Sequence, residues 1–271
     1  MRALQKQHIV DVFVLVDDSL PKQVKPGAQS VLSDSELLTI LIWDGLTDPH
    51  KNLSGVYAWI EREYSDCFPR LPKYQNFVAH CHRLLPTLVW FLRSLLVEDA
   101  PLRFADSTML PVCKYIRASR HRVAKGVAQF GKNWQGWHYG FKLHASIDYQ
   151  NRLAALVFTP ANEHDNQVEE RLANEHTRIL VGDSHYGGSV QRKRLWKRFR
   201  CLVVAPPHYK QNKQLATDWQ MLLLHMRPKI EATFGKLKEH SFLVTSFPRS
   251  VRGYFVHYVR VLLGYQMGAN S

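Results

Sequence analysis

The chain has 271 residues, is 45% hydrophobic and 22% charged, and so can bury a real core, which excludes disorder as its dominant state. Its 36 Lys+Arg against 23 Asp+Glu give a formal charge of +13 and a pI near 9.7, which points to a polyanionic partner, most simply nucleic acid. The excess is one-sided: residues 1–100 hold 10 basic and 12 acidic side chains, and residues 101–271 hold 26 and 11. A phosphate-binding surface and its chemistry are therefore expected in the C-terminal part.

The first hundred residues read as helical. Ser33-Asp34-Ser35-Glu36 is a capping box that starts a helix carrying Leu37, Leu38, Ile40, Leu41 and Ile42. A second helix is expected over 54–64, with Val56, Trp59 and Ile60 inward. After the break at Phe68-Pro69-Arg70-Leu71-Pro72, a third runs from Tyr74, bent at Pro86, to about Val97. Its greasiest part, Leu84 to Val97, contains Pro86 and Arg93 and is too short to span a bilayer. Cys67, Cys81, Cys113 and Cys201 form no CxxC pair, which argues against a zinc knuckle and a disulfide framework. They read as reduced thiols, and with no signal peptide at the start the expected location is cytoplasmic.

From Leu102 the period changes. Leu102 to Leu110 is a short strand. His138 to Ile147 alternates, with His138, Gly140, Lys142 and His144 on one face, and Leu153 to Thr159 returns as its hairpin partner across Asp148-Tyr149-Gln150-Asn151. Asp165 is expected to cap a helix over 166–174. A strand over 179–182 ends at Asp183, and Gly187-Gly188 opens a basic helix to Phe199. Another strand runs to Ala205, and a polar insertion follows Pro206-Pro207. A helix over 228–239 begins with Pro in its first turn, and a last helix covers 254–267. Three strands followed by alternating helix and strand is the connectivity of a ribonuclease-H-like mixed α/β sheet flanked by helices. The expected domains are 1–100, all helical, and 101–271.

Three of the few acids in the basic half stand at element ends: Asp106 in the first strand, Asp183 closing the fourth, and Glu231 in the first turns of the late helix. Neighbouring first and fourth strands would bring the two aspartates to one sheet edge, and a helix across that edge would add the third acid. Carboxylates held close in a basic surface repel unless cations neutralise them. Two Mg2+ ions, with Mn2+ as a substitute, would do so and would serve phosphodiester transfer. The rivals for the middle carboxylate, Asp148 and Asp165, have turn and cap roles available. An Asp at a strand end is most often a turn or cap residue, and Glu231 alone could be a surface partner of Arg227.

These residues carry a resemblance. Phe104-Ala105-Asp106-Ser107-Thr108-Met109-Leu110-Pro111-Val112-Cys113, Gly140-Phe141-Lys142-Leu143-His144, Val181-Gly182-Asp183-Ser184-His185-Tyr186 and the Arg227, Glu231, Lys238 spacing (Arg-x3-Glu-x6-Lys) occur in the order found in bacterial insertion-sequence DDE transposases. The chain is most similar to insertion-sequence family 982, over about residues 100–265. It departs from the pattern at Leu224, where related signatures often have Tyr, and at Ser184-His185, where relatives carry a basic residue and Gly; this makes His185 a candidate DNA contact.

The resemblance implies metal-dependent cleavage at the element's ends, followed by 3′-hydroxyl strand transfer into target DNA. Asp106, Asp183 and Glu231 would be catalytic and metal-ligating. The partners would be double-stranded DNA, as terminal inverted repeats and target, and a second copy in the active complex. The N-terminal helices would bind the repeats, mediate dimerisation, or both. A ribonuclease-H-fold nuclease without strand transfer and a non-catalytic DNA-binding derivative are the alternatives.

The surroundings are basic. Arg117, Arg120, Arg122, Lys125 and Lys132 lie in a stretch with no acid between Lys114 and Lys142, closed by Trp134 and Trp137. It reads as a flap whose cations take phosphates and whose tryptophans are either core or stack on an unpaired base. The helix Arg192–Arg200, with Arg192, Lys193 and Lys197, is six-ninths basic, and Leu195, Trp196 and Phe199 are expected inward. Lys142, Arg227 and Lys238 complete the candidate DNA contacts, and His138 and His144 read as structural.

Overall fold

The computed structural model describes residues 2–21, 30–207 and 216–270. The chain divides into two compact units: one from residues up to Ser94 together with His240–Ala269, the other Leu95–Glu239.

The first unit is helical. Ser33 and Glu36 form the expected capping box at the start of α2 (Asp34–Thr47), with the Ser33 hydroxyl accepting from the Glu36 amide. α1 (Arg2–Ser19) packs on α2, tied by Ser35 donating to Asp17 at 2.7 Å. α3 (Leu53–Glu63) buries Val56, Trp59 and Ile60 as expected, and α4 (Tyr74–Ser94) runs through Pro86.

The last helix, α8 (Val251–Asn270), belongs to this unit, so the expected domain of 101–271 is corrected at its C-terminal end. The reason is burial. α8 sinks an apolar run from Val256 to Leu263 that carries Arg260, fully buried and ion-paired with the equally buried Asp44 of α2. Backbones also meet there: a Cβ on Gly264 would lie 2.4 Å from the Gly45 Cα, an approach only glycine permits.

The second unit is built on one mixed sheet. Its strands are β1 (Leu102–Cys113), β2 (Gln129–Asn133), β3 (Gly136–Ile147), β4 (Leu153–Pro160), β5 (Ile179–Val181) and β6 (Leu202–Val204). The order is β2-β3-β1-β5-β6, with β4 also paired to β3. β3 is antiparallel to β1, β2 and β4, whereas β5 is parallel to both β1 and β6. α5 (Ser189–Phe199) links β5 to β6, and α6 (Asp218–Met226) and α7 (Pro228–Glu239) follow. This mixed sheet with flanking helices is compatible with a ribonuclease-H-like domain.

Two elements differ from expectation. No α-helix covers 166–174; two short 3-10 turns stand there, and His164 rather than Asp165 takes the cap position. Asp165 is not free to cap, because its carboxylate faces the sheet. β2 forms inside the expected flap by pairing with the start of β3. Part of the polar insertion after Pro207 lies outside the described residues, and its end is the start of α6.

Candidate active site

Register places the two aspartates. Phe104 of β1 pairs in parallel with Val181, the last residue of β5, so Asp106, inside β1, comes level with Asp183, just past the end of β5. Asp106 is enclosed, with 19% of its side chain exposed, and accepts from the Ser107 amide at 2.7 Å. Burial pushes its carboxyl up to about 7, with the charges of Asp183 and Asp165 adding to the rise and the Ser107 amide and Arg227 opposing it.

Asp183 leaves β5 and caps the short turn Ser184–Tyr186, accepting from the His185 amide at 2.8 Å, with His185 Nδ1 3.1 Å from its second oxygen. The Val-Gly-Asp-x-x-Tyr pattern has a steric origin. A Cβ on Gly182 would stand 2.7 Å from the Tyr186 ring, so glycine lets that ring lie on the backbone just before Asp183.

α7 packs against β1 and brings the third acid. Arg227, Glu231 and Lys238 fall on one helix face by spacing. Arg227 is ion-paired with Glu231, and its Nη1 stands 4.0 Å from Asp106 Oδ2. Lys238 is half-buried; burial lowers its pKa, and the nearby Asp106 charge opposes that shift. Glu231 is half-exposed and is joined to Asp106 through Arg227, so the late helix does come to the first strand.

The structure gathers residues that the sequence reading had set aside. Asp165, Asp183 and His185 each offer a ligand atom, and these atoms lie within 4.8 Å of one another. Asp165 receives Lys142 Nζ at 3.3 Å and the Ser107 hydroxyl, with His144 Nδ1 also 3.3 Å away. The hydrogen bonds and charges of this cradle hold its carboxyl at about 2, against the opposing pull of burial, which is the largest single influence. The missed signal lay in β3. Lys142 and His144 share a face, Ser107 pairs with His144, and β4 delivers Asp165 to that face.

Glu169 was also missed. It is fully buried with both carboxylate oxygens unpartnered among the described residues, and burial pushes it up to about 8, so it is largely neutral at pH 7.

The expected DNA contacts separate into two groups. Arg117, Arg120, Arg122, Lys125, Arg192, Lys193 and Lys197 are exposed. Lys142 is buried and donates to the Glu163 carbonyl at 2.7 Å as well as to Asp165, so its expected place at DNA is corrected to an internal one. Trp134 at the β2–β3 turn is 90% exposed and Trp137 half-exposed, with Lys132 Nζ 5.7 Å from the Trp137 ring; neither is core. Trp196 is half-exposed beside Arg200, not inward as expected. His138 bonds Asn133, His144 Nε2 stands 2.9 Å from the Thr159 hydroxyl, and Asp148 keeps its turn, with Arg152 as partner.

Residues 98–251 match the family model described as a transposase DDE domain. The chain belongs to this family. Membership implies transposition or nuclease activity on DNA and use of a divalent metal. The donors suit such an ion: Asp183 brings a hard carboxylate oxygen beside that of Asp165, its charge acts on Asp106, and the buried Tyr186 hydroxyl has no hydrogen-bond partner among the described residues; Asp106 and Glu231 do not share that group of ligand atoms. No helix among the described residues is long and apolar enough to cross a membrane.

Proposed function

We propose that the chain is a bacterial insertion-sequence transposase, similar to insertion-sequence family 982, that cuts phosphodiester bonds at the element's ends and joins the freed 3′-hydroxyl to target DNA. One observation carries this reading: the β1–β5 register sets Asp106 level with Asp183, while α7 lays the Arg227–Glu231 pair against Asp106. In this reading Asp106, Asp183 and Glu231 ligate two Mg2+ ions, for which Mn2+ substitutes. Bound ions would neutralise the carboxylates, activate the attacking oxygen and stabilise the leaving one.

The chain's own residues do the rest. Asp106 is desolvated, so its ionised carboxylate would attract a bound cation more strongly than an exposed one. Arg227 orients Glu231 and, close to Asp106, offsets the acids' mutual repulsion. Lys238, on the same helix face, is placed for a backbone phosphate. The exposed cations of the 114–132 stretch and of α5 hold the flanking duplex, and Trp134 stands at a turn tip where a splayed base could stack. The active form is a homodimer in the bacterial cytoplasm, on the nucleoid when bound, with the N-terminal helices at the repeats, at the dimer interface, or at both. The ribonuclease-H-like domain begins near residue 100.

The test is a two-stage DNA assay with Mg2+, using an intact end and a precut end. Wild type should cleave the first and join the second. Asp106→Asn, Asp183→Asn and Glu231→Gln should lose cleavage while keeping DNA binding. An Asp183→Asn protein that still cuts refutes the assignment. Cleavage without joining of the precut end establishes the nuclease alternative.

A further inference from the structure

Asp165, Asp183 and His185 come from two turns that follow different strands, yet two oxygens and one nitrogen converge within 4.8 Å. Proximity of acids alone would mean little, but Asp165 is a built position. The sheet holds it from behind through Lys142, His144 and Ser107, and its side chain is only 15% exposed.

A second observation points to a missing ligand. Tyr186, in the same short turn as Asp183 and His185, is fully buried, its hydroxyl is acted on by the charges of Asp165, Asp106, Asp183 and Glu169, and it makes no hydrogen bond among the described residues. A buried hydroxyl left without a partner is destabilising, and such a group calls for a water or an ion nearby.

We propose that Asp165, Asp183 and His185 form a divalent-cation site of mixed oxygen and nitrogen ligands, with the buried Tyr186 hydroxyl beside it to bond an ion-bound water. The proposal rests on the transposase reading only in sharing Asp183 with the catalytic set. Mg2+ favours all-oxygen surroundings and keeps its waters, whereas imidazole nitrogen suits Mn2+ and later first-row ions. The site therefore prefers Mn2+ over Mg2+, and His185 supplies the preference.

The experiment uses the full chain stripped with a chelator, titrated with Mn2+ alone by electron paramagnetic resonance and then with Mg2+ as competitor. Wild type should bind Mn2+ at least about tenfold more tightly than Mg2+, with nitrogen modulation in the spin-echo signal. Asp165→Asn and His185→Ala should each weaken Mn2+ by about tenfold or more, and His185→Ala should also remove the nitrogen signal. Glu231→Gln, which removes a ligand of the catalytic set alone, should leave the nitrogen-modulated Mn2+ signal unchanged. Thermal unfolding in chelator reports whether Asp165→Asn folds; His185 is exposed, so its variant keeps the test decisive in either case.

Wild-type Mn2+ affinity in His185→Ala, or a wild type with no preference for Mn2+, overturns the proposal. If Asp106→Asn and Glu231→Gln still cut DNA while His185→Ala loses Mn2+, the transposase assignment falls and the cation site stands.

Discussion

Replacing Asp106 by Asn should stabilise the metal-free protein, and the gain should grow with pH. The fold holds this carboxyl at about 7 against an ordinary 3.8, because β1 buries it beside two other acids. Below pH 3.8 the group is protonated both folded and unfolded, and its contribution is fully present. As pH rises towards 7 the unfolded chain releases the proton and the folded one resists, so stability is lost. At about 1.4 kcal/mol per pH unit, the full difference is about 4 kcal/mol, and roughly 3 kcal/mol of it accumulates between pH 5 and pH 8.

Asn has the same shape and does not titrate. Urea unfolding of wild type and Asp106→Asn in chelator, at about pH 5 and about pH 8, should show the variant's advantage widening by roughly 3 kcal/mol. Adding Mn2+ at the higher pH should recover wild type more than the variant, since the ion binds the ionised form. Parallel stability curves for the two proteins across this range would refute the argument that Asp106 is held desolvated for a cation.

Three further outcomes are expected. Asp44→Ala strands the fully buried Arg260 and should destabilise the helical unit by about 3–5 kcal/mol, whereas an Asp44→Leu/Arg260→Met double variant should regain most of the loss, both read by thermal melts. Gly182→Ala drives a Cβ to 2.7 Å from the Tyr186 ring; it should cost about 1–3 kcal/mol and slow DNA cleavage by moving Asp183, and wild-type melting would show that the ring is not fixed there. Trp134→Ala should change stability by less than about 0.5 kcal/mol, because the side chain is 90% exposed, yet weaken binding to a frayed DNA end by about 1–3 kcal/mol in fluorescence anisotropy.

The elements legible in the sequence were those whose own residues carry the signal. The Ser33–Glu36 box, the inward Val56, Trp59 and Ile60, and the Pro228 start of α7 are local chemistry, and they lie where expected. β2 was not legible because Gln129–Asn133 alternates weakly and becomes a strand only by pairing with Gly136–Gly140. The fate of α8 was hidden for a similar reason. A chain read in order assigns it to the preceding domain, but its buried Arg260 needs Asp44, which lies 216 residues earlier.

The site shows the same limit more sharply. Asp106, Asp183 and Glu231 stand out because acids are scarce in a basic half-chain; Asp183 follows the end of β5 and Glu231 lies in the first turn of α7, whereas Asp106 turns out to lie inside a longer β1. Asp165 looked dispensable since an Asp before a supposed helix has a ready cap role, and nothing local says that Lys142 and His144 need an anion. Once β3 is buried on both faces, they do: a lysine that cannot reach water must find a carboxylate or carbonyls, and Asp165 and Glu163 supply them. The cation that resembled a DNA contact is thus a measure of how firmly Asp165 is fixed. Asp165→Asn should therefore unsettle Lys142 even without metal, whereas His185→Ala, at the open side of the same carboxylate group, should be silent until an ion is added.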